Sequence, residues 1–113
     1  MKTKKRIPIP SRSGLDLVPL DDILYAEADG NYTKLTLKSN RFTVVCKSLK
    51  WISSQLEASE YFCRIHHSSI VNTNYIQRYL KGDGGQVEMK DGKILNVSRA
   101  RKSDFLKALY DKM

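Results

Sequence analysis

Residues 31–38, Asn31-Tyr32-Thr33-Lys34-Leu35-Thr36-Leu37-Lys38, alternate strictly, with Thr33, Leu35 and Leu37 on one side and Tyr32, Lys34, Thr36 and Lys38 on the other. A period of two is that of a half-buried strand, and here it separates an apolar face from a basic one. Ser39-Asn40 then reads as a hairpin turn. Residues 41–47 alternate again, which puts Phe42, Val44 and Cys46 on the core side. Upstream, residues 21–28 hold the more continuously apolar Ile23-Leu24-Tyr25-Ala26 and end in the turn signal Asp29-Gly30-Asn31. Downstream, residues 86–90 and 93–97 form another hairpin around Asp91-Gly92, a type I′ signature. Residues 7–10 and 15–18 read as short edge strands, since Pro8 and Pro10 cannot donate to an interior ladder.

Two helices complete the pattern. Ser48 can cap residues 49–58, where Leu49, Ile52 and Leu56 form an apolar stripe with Trp51 beside it. Ser98 can cap residues 99–110, with Phe105, Leu106 and Leu109 facing inward. Residues 69–74 read as a further short turn of helix. The expected fold is mostly β, a small multi-stranded antiparallel sheet domain with short helices at its edges.

At 113 residues the chain supports one domain and one modest core. Residues 1–12 are expected to be a basic arm or linker and residues 13–113 the domain. Twenty Lys and Arg against 12 Asp and Glu give a net charge of +8, which favours a polyanionic partner. No apolar run approaches the ~18–20 residues of a spanning helix, and the basic start leads into Ile-Pro-Ile-Pro, not a signal peptide. A cytoplasmic protein without membrane attachment is expected. Two cysteines are too few for a disulfide framework and read as reduced thiols.

The charge is segregated. Residues 30–56 hold Lys34, Lys38, Arg41, Lys47 and Lys50 without a carboxylate; residues 61–82 hold Arg64, Arg78 and Lys81; residues 92–103 hold Lys93, Arg99, Arg101 and Lys102. If these blocks converge, they form a phosphate-facing stripe.

Residues 61–69, Tyr-Phe-Cys-Arg-Ile-His-His-Ser-Ser, carry the densest polar chemistry. Cys63 and His66 do not make a nucleophile and base, because residues three apart on a strand face opposite ways and no acid lies nearby to orient the imidazole. A zinc site from Cys46, Cys63, His66 and His67 lacks a recognised spacing, and adjacent histidines on an extended chain diverge. The better reading turns one imidazole inward and the other outward beside Ser68, where it suits a base edge or phosphate. Arg99-Ala100-Arg101-Lys102 puts three cations in a helix's first turn, which is locally unfavourable but suits phosphate.

Residues 62–72, Phe-Cys-Arg-Ile-His-His-Ser-Ser-Ile-Val-Asn, followed by Tyr75-Ile76, resemble the F-x-R-[VI]-H-x-S-x-[IV]-V-N hallmark of LytTR-type DNA-binding domains. Residues 23–32 are similar to that family's first strand and loop, Ser48-Leu49-Lys50 to its helix start, and Val97-Ser98-Arg99 to its closing motif. The resemblance implies a bacterial transcription-factor domain, the output domain of a two-component response regulator, that reads double-stranded DNA through loops. It implies base contacts from Asn31, Tyr32 and Thr33, from His67, and from Arg99. Phosphate positioning is then expected of Lys34, Lys47, Ser68, Arg101 and Lys102, while Arg64, His66 and Asn72 hold the hallmark loop in shape. No catalysis, cofactor or metal is expected. The resemblance further suggests two copies on paired sites. The family's usual receiver domain has no counterpart here, so the chain is expected to be either a stand-alone regulator or an excised module. Two rival readings are a small β-barrel binding single-stranded nucleic acid and an SH3-like protein-interaction module. The first needs several exposed aromatics alternating with basic residues; the second needs no charge segregation.

Overall fold

The computed structural model describes residues 5–56 and 59–111. Its spine is a five-stranded antiparallel sheet built from β3 (Ile23–Asp29), β4 (Tyr32–Leu37), β5 (Arg41–Val45), β6 (Phe62–His66) and β7 (Ser69–Asn72), in the order β5-β4-β3-β7-β6. A two-stranded sheet, β1 (Arg6–Ser11) with β2 (Gly14–Pro19), and helix α1 (Leu49–Leu56) cover one face. A three-stranded sheet, β8 (Ile76–Leu80), β9 (Gln86–Met89) and β10 (Ile94–Asn96), and helix α2 (Arg99–Asp111) cover part of the other. The architecture is therefore mostly β, with small antiparallel sheets and two helices, as the periodicity predicts.

Two cores sit on the two faces of the spine. Ile7, Ile9, Ile23, Ala26, Leu35, Leu37, Val45 and Ile70 meet Leu49, Ile52 and Leu56 on the first. Leu24, Tyr25, Ile65 and Val71 meet Val87, Met89, Leu95, Val97 and Phe105 on the second. β3 is covered on both sides, which is why its sequence is nearly continuous in apolar residues and not alternating. A register shift between Ile23 and Tyr25 lets Leu24 and Tyr25 enter the same core. Ile7 and Ile9 are buried, so the arm expected over 1–12 belongs to the folded unit from Arg6 onward.

Four local expectations are corrected. In β5, Phe42 and Val44 face solvent, Cys46 beyond the strand is exposed, and Val45 is buried. The cause is the connection from β4, which has three residues (38–40) instead of two, with Ser39 and Asn40 both at positive φ. That one-residue slip flips every side chain of the strand. In the β9–β10 hairpin the connection is also three residues, 90–92, and only Gly92 among them has positive φ (94°), so the turn is not type I′. Residues 69–72 form a strand, and the helical turn is limited to a 3-10 segment at Thr73–Tyr75. Ser48 does cap α1, its hydroxyl accepting the Trp51 N–H at 3.2 Å. Ser98 instead uses its backbone, its carbonyl accepting the Arg101 N–H at 3.1 Å.

Candidate nucleic-acid interface

Antiparallel order decides what gathers at each end of the spine. β5, β3 and β6 finish at one end, and β4 and β7 begin there. Residues 28–33, 46–47 and 66–69 therefore meet although they are distant in sequence. Three hydrogen bonds stitch them. The Ala28 N–H donates to the Ser68 carbonyl at 2.9 Å, and the Thr33 hydroxyl to the Lys47 carbonyl at 2.9 Å. The Ser98 N–H donates to the Ile65 carbonyl at 2.8 Å, which brings the start of α2 to the same end.

The β6–β7 turn is the most closely held part. Arg64 Nε donates to the His66 carbonyl at 2.9 Å and Nη2 to the His67 carbonyl at 2.6 Å. His66 Nδ1 accepts the Ser68 N–H at 3.2 Å and lies 2.8 Å from the Ser68 hydroxyl. A nitrogen that accepts an amide N–H carries no proton, so the hydroxyl donates to it too and the ring proton sits on Nε2. Burial, then His67, Arg101 and Arg64, hold the His66 pKa below the ordinary histidine value, which favours this neutral form. Burial and then Arg101 likewise lower that of Arg64. Asn72, buried, donates to the Ile23 carbonyl and accepts the Asn74 N–H, both at 2.9 Å. Arg64, His66 and Asn72 thus sit where side chains shape the turn and its neighbours.

Around that frame, Asn31 and Tyr32 are exposed on the β3–β4 hairpin, whose two-residue turn uses Gly30 at φ 62°. His67 is exposed beside His66, the ring centroids 4.3 Å apart. Arg99 and Arg101 project from the start of α2 into solvent. Lys34 lies over the Phe42 ring at 4.7 Å and Lys47 over Trp51 at 5.7 Å, so aromatic faces support two exposed ammonium groups.

Three placements differ from expectation. Thr33 is wholly buried and its hydroxyl is spent on Lys47, so it cannot present itself to a base. Ser68 turns its hydroxyl inward to His66. Lys102 is half-buried, with Nζ 3.4 and 3.3 Å from the Gly82 and Asp83 carbonyls. Sequence reasoning also missed two residues here, both acids. Asp83 pairs with Arg99 at 3.5 Å, and Glu27 pairs with Lys93 at 3.4 Å. The Gly82-Asp83-Gly84-Gly85 run was the one available signal for the first of these. Among the described residues, no three His, Cys, Asp or Glu side chains gather as metal ligands, and no helix is long and apolar enough to cross a membrane.

The LytTr DNA-binding domain model matches residues 13–110 of the chain. A heme-containing CO-sensing transcriptional regulator of Paraburkholderia xenovorans, RcoM 2, is 33% identical over 78 residues. That stretch is 69% of this chain but only 28% of the regulator. Among solved structures, the LytTr DNA-binding domain of a methyl-accepting/DNA response regulator from Bacillus cereus superimposes with a TM-score of 0.77 at 26% identity. The match covers 95% of this chain and 98% of that one.

Proposed function

The chain belongs to the LytTr DNA-binding domain family, and from that membership we propose that it binds double-stranded DNA sequence-specifically as the output domain of a bacterial transcriptional regulator. The observation that carries the reading is the convergence of Asn31 and Tyr32, His67, and Arg99 at one end of the sheet through the Ala28–Ser68 and Ile65–Ser98 hydrogen bonds. In this reading those four side chains address base edges. Lys34, Lys47 and Arg101 grip phosphates, with Lys102 and Ser68 contributing mainly by holding the surface in shape. The function is binding, not catalysis, in the cytoplasm where the DNA lies. Two copies would occupy paired sites, with the sensing or receiver function supplied by another domain or protein.

The distribution of aromatics supports duplex over single strands. A single-strand binder needs stacking faces along its basic groove. Among the described residues the exposed aromatics are scattered and not lined along one groove: Tyr32 lies at this end, Phe42 under the Lys34 ammonium, Tyr61 toward the opposite end of the sheet, and Tyr110 at the far end of α2. Competition of unlabelled duplex against its separated strands, at one salt concentration, tests the reading. Duplex should compete at least tenfold better, and equal or better competition by single strands would overturn it.

A further inference from the structure

We propose that Asp83 is a specificity-determining positioning residue: it orients the Arg99 guanidinium toward a base edge and disfavours phosphate in that place. The inference rests on the assignment of Arg99 as a base reader. Arg99 Nη2 lies 3.5 Å from Asp83 Oδ2, with the two side chains 80% and 87% exposed. An ion pair so open to water adds little to stability.

The backbone presents that carboxylate. The Val97 N–H donates to the Gly85 carbonyl at 3.0 Å, and the Tyr79 hydroxyl to the Gly84 carbonyl at 2.9 Å. Lys102 reaches the carbonyls of Gly82 and Asp83 itself. A Cβ on Gly84 would collide with the Val97 carbonyl, so the loop lies directly against the residues that lead into α2. The first turn of α2 holds Arg99, Arg101 and Lys102 and no acid, although a helix start favours an anion. Asp83, on the neighbouring loop, pairs with the first of these cations.

Two consequences follow for recognition. A guanidinium has five N–H donors, so one can remain on the carboxylate while two others meet guanine O6 and N7. The pair is too open to water to lock the arginine in the free protein, but excluding water on DNA binding strengthens it and favours this orientation in the complex. The carboxylate also repels a phosphate that would take the guanidinium in a non-specific encounter, and a penalty on the wrong partner is as good for selectivity as a gain on the right one.

The test is a cycle of wild type, Asp83→Asn, Arg99→Ala and the double variant, each measured on a site selected from random duplexes and on an unselected duplex. The expected result is that Asp83→Asn lowers the selected-to-random affinity ratio about five- to tenfold, partly by strengthening random binding, and has no effect on that ratio once Arg99 is alanine. If Arg99→Ala lowers the ratio but Asp83→Asn leaves it within twofold, or lowers it equally in both backgrounds, Asp83 has no such role and the base-reading assignment stands. If Arg99→Ala lowers both affinities equally, the assignment of Arg99 itself fails and the role of Asp83 falls with it.

Discussion

Arg64 Nη2 donates to the His67 carbonyl at 2.6 Å while its Nε donates to the His66 carbonyl at 2.9 Å, so one guanidinium fixes two successive peptide units of the β6–β7 turn. A planar fork can hold both oxygens at once; an ammonium cannot reproduce that geometry. The exposed His67 imidazole therefore starts from a defined backbone position.

Arg64→Lys should for this reason lose selected-site binding while staying folded. Charged hydrogen bonds contribute about 1.5–3 kcal/mol each, and partial exposure here favours the lower end, so a stability loss of ~1–2 kcal/mol is expected. Urea denaturation and duplex titration of the same sample check both numbers. Wild-type binding by the lysine variant would show that the turn needs no clamp.

Thr33→Val separates a structural role from a reading role. The methyl replaces the hydroxyl at constant shape and leaves the Lys47 carbonyl without its donor, which should cost ~1–2 kcal/mol of stability. The selected-to-random ratio should stay within about twofold, a change too small to represent a lost base contact. Loss of that ratio at unchanged stability would return Thr33 to the base-reading set.

Lys34 and Lys47 should act on all duplexes alike. Replacing either with alanine should weaken selected and random duplex by the same factor and lower the slope of log K against log[salt] by ~0.9. An unaltered slope would remove that lysine from the phosphate contacts.

His66 makes the fold sensitive to mild acid. Its folded pKa lies below the ordinary value near 6.5, so in the window below ~6.5 the unfolded chain takes up more protons and stability falls as pH falls. Denaturation midpoints at pH 7.5 and 5.5 should show this loss in wild type and a smaller one in His66→Gln. Equal losses in the two proteins would contradict the neutral, Ser68-bonded imidazole.

Much of the fold was legible because burial on one face writes a period of two into β4 and a cap plus stripe into α1. β5 was not, because its alternation fits either face and only the length of the 38–40 connection selects one. Residues 69–72 misled for a different reason: Ser69 and Asn72 are polar yet buried, and Asn72 is satisfied by the Ile23 carbonyl far away in sequence. For the site, residue types and helix ends were readable from the carboxylate-free blocks. Which side chains face outward was not, since the burial of Thr33 and the Asp83–Arg99 pair depend on long-range contacts.

The central claim, that this end of the sheet reads base sequence and does not merely grip backbone, is tested most directly by Arg99→Lys at one salt concentration on a selected and a random duplex. The charge is kept and the planar fork is lost, so binding to the selected site should weaken by ~1–3 kcal/mol, with little change on random duplex. If the lysine variant keeps the wild-type affinity ratio, Arg99 contributes only charge and the account is contradicted.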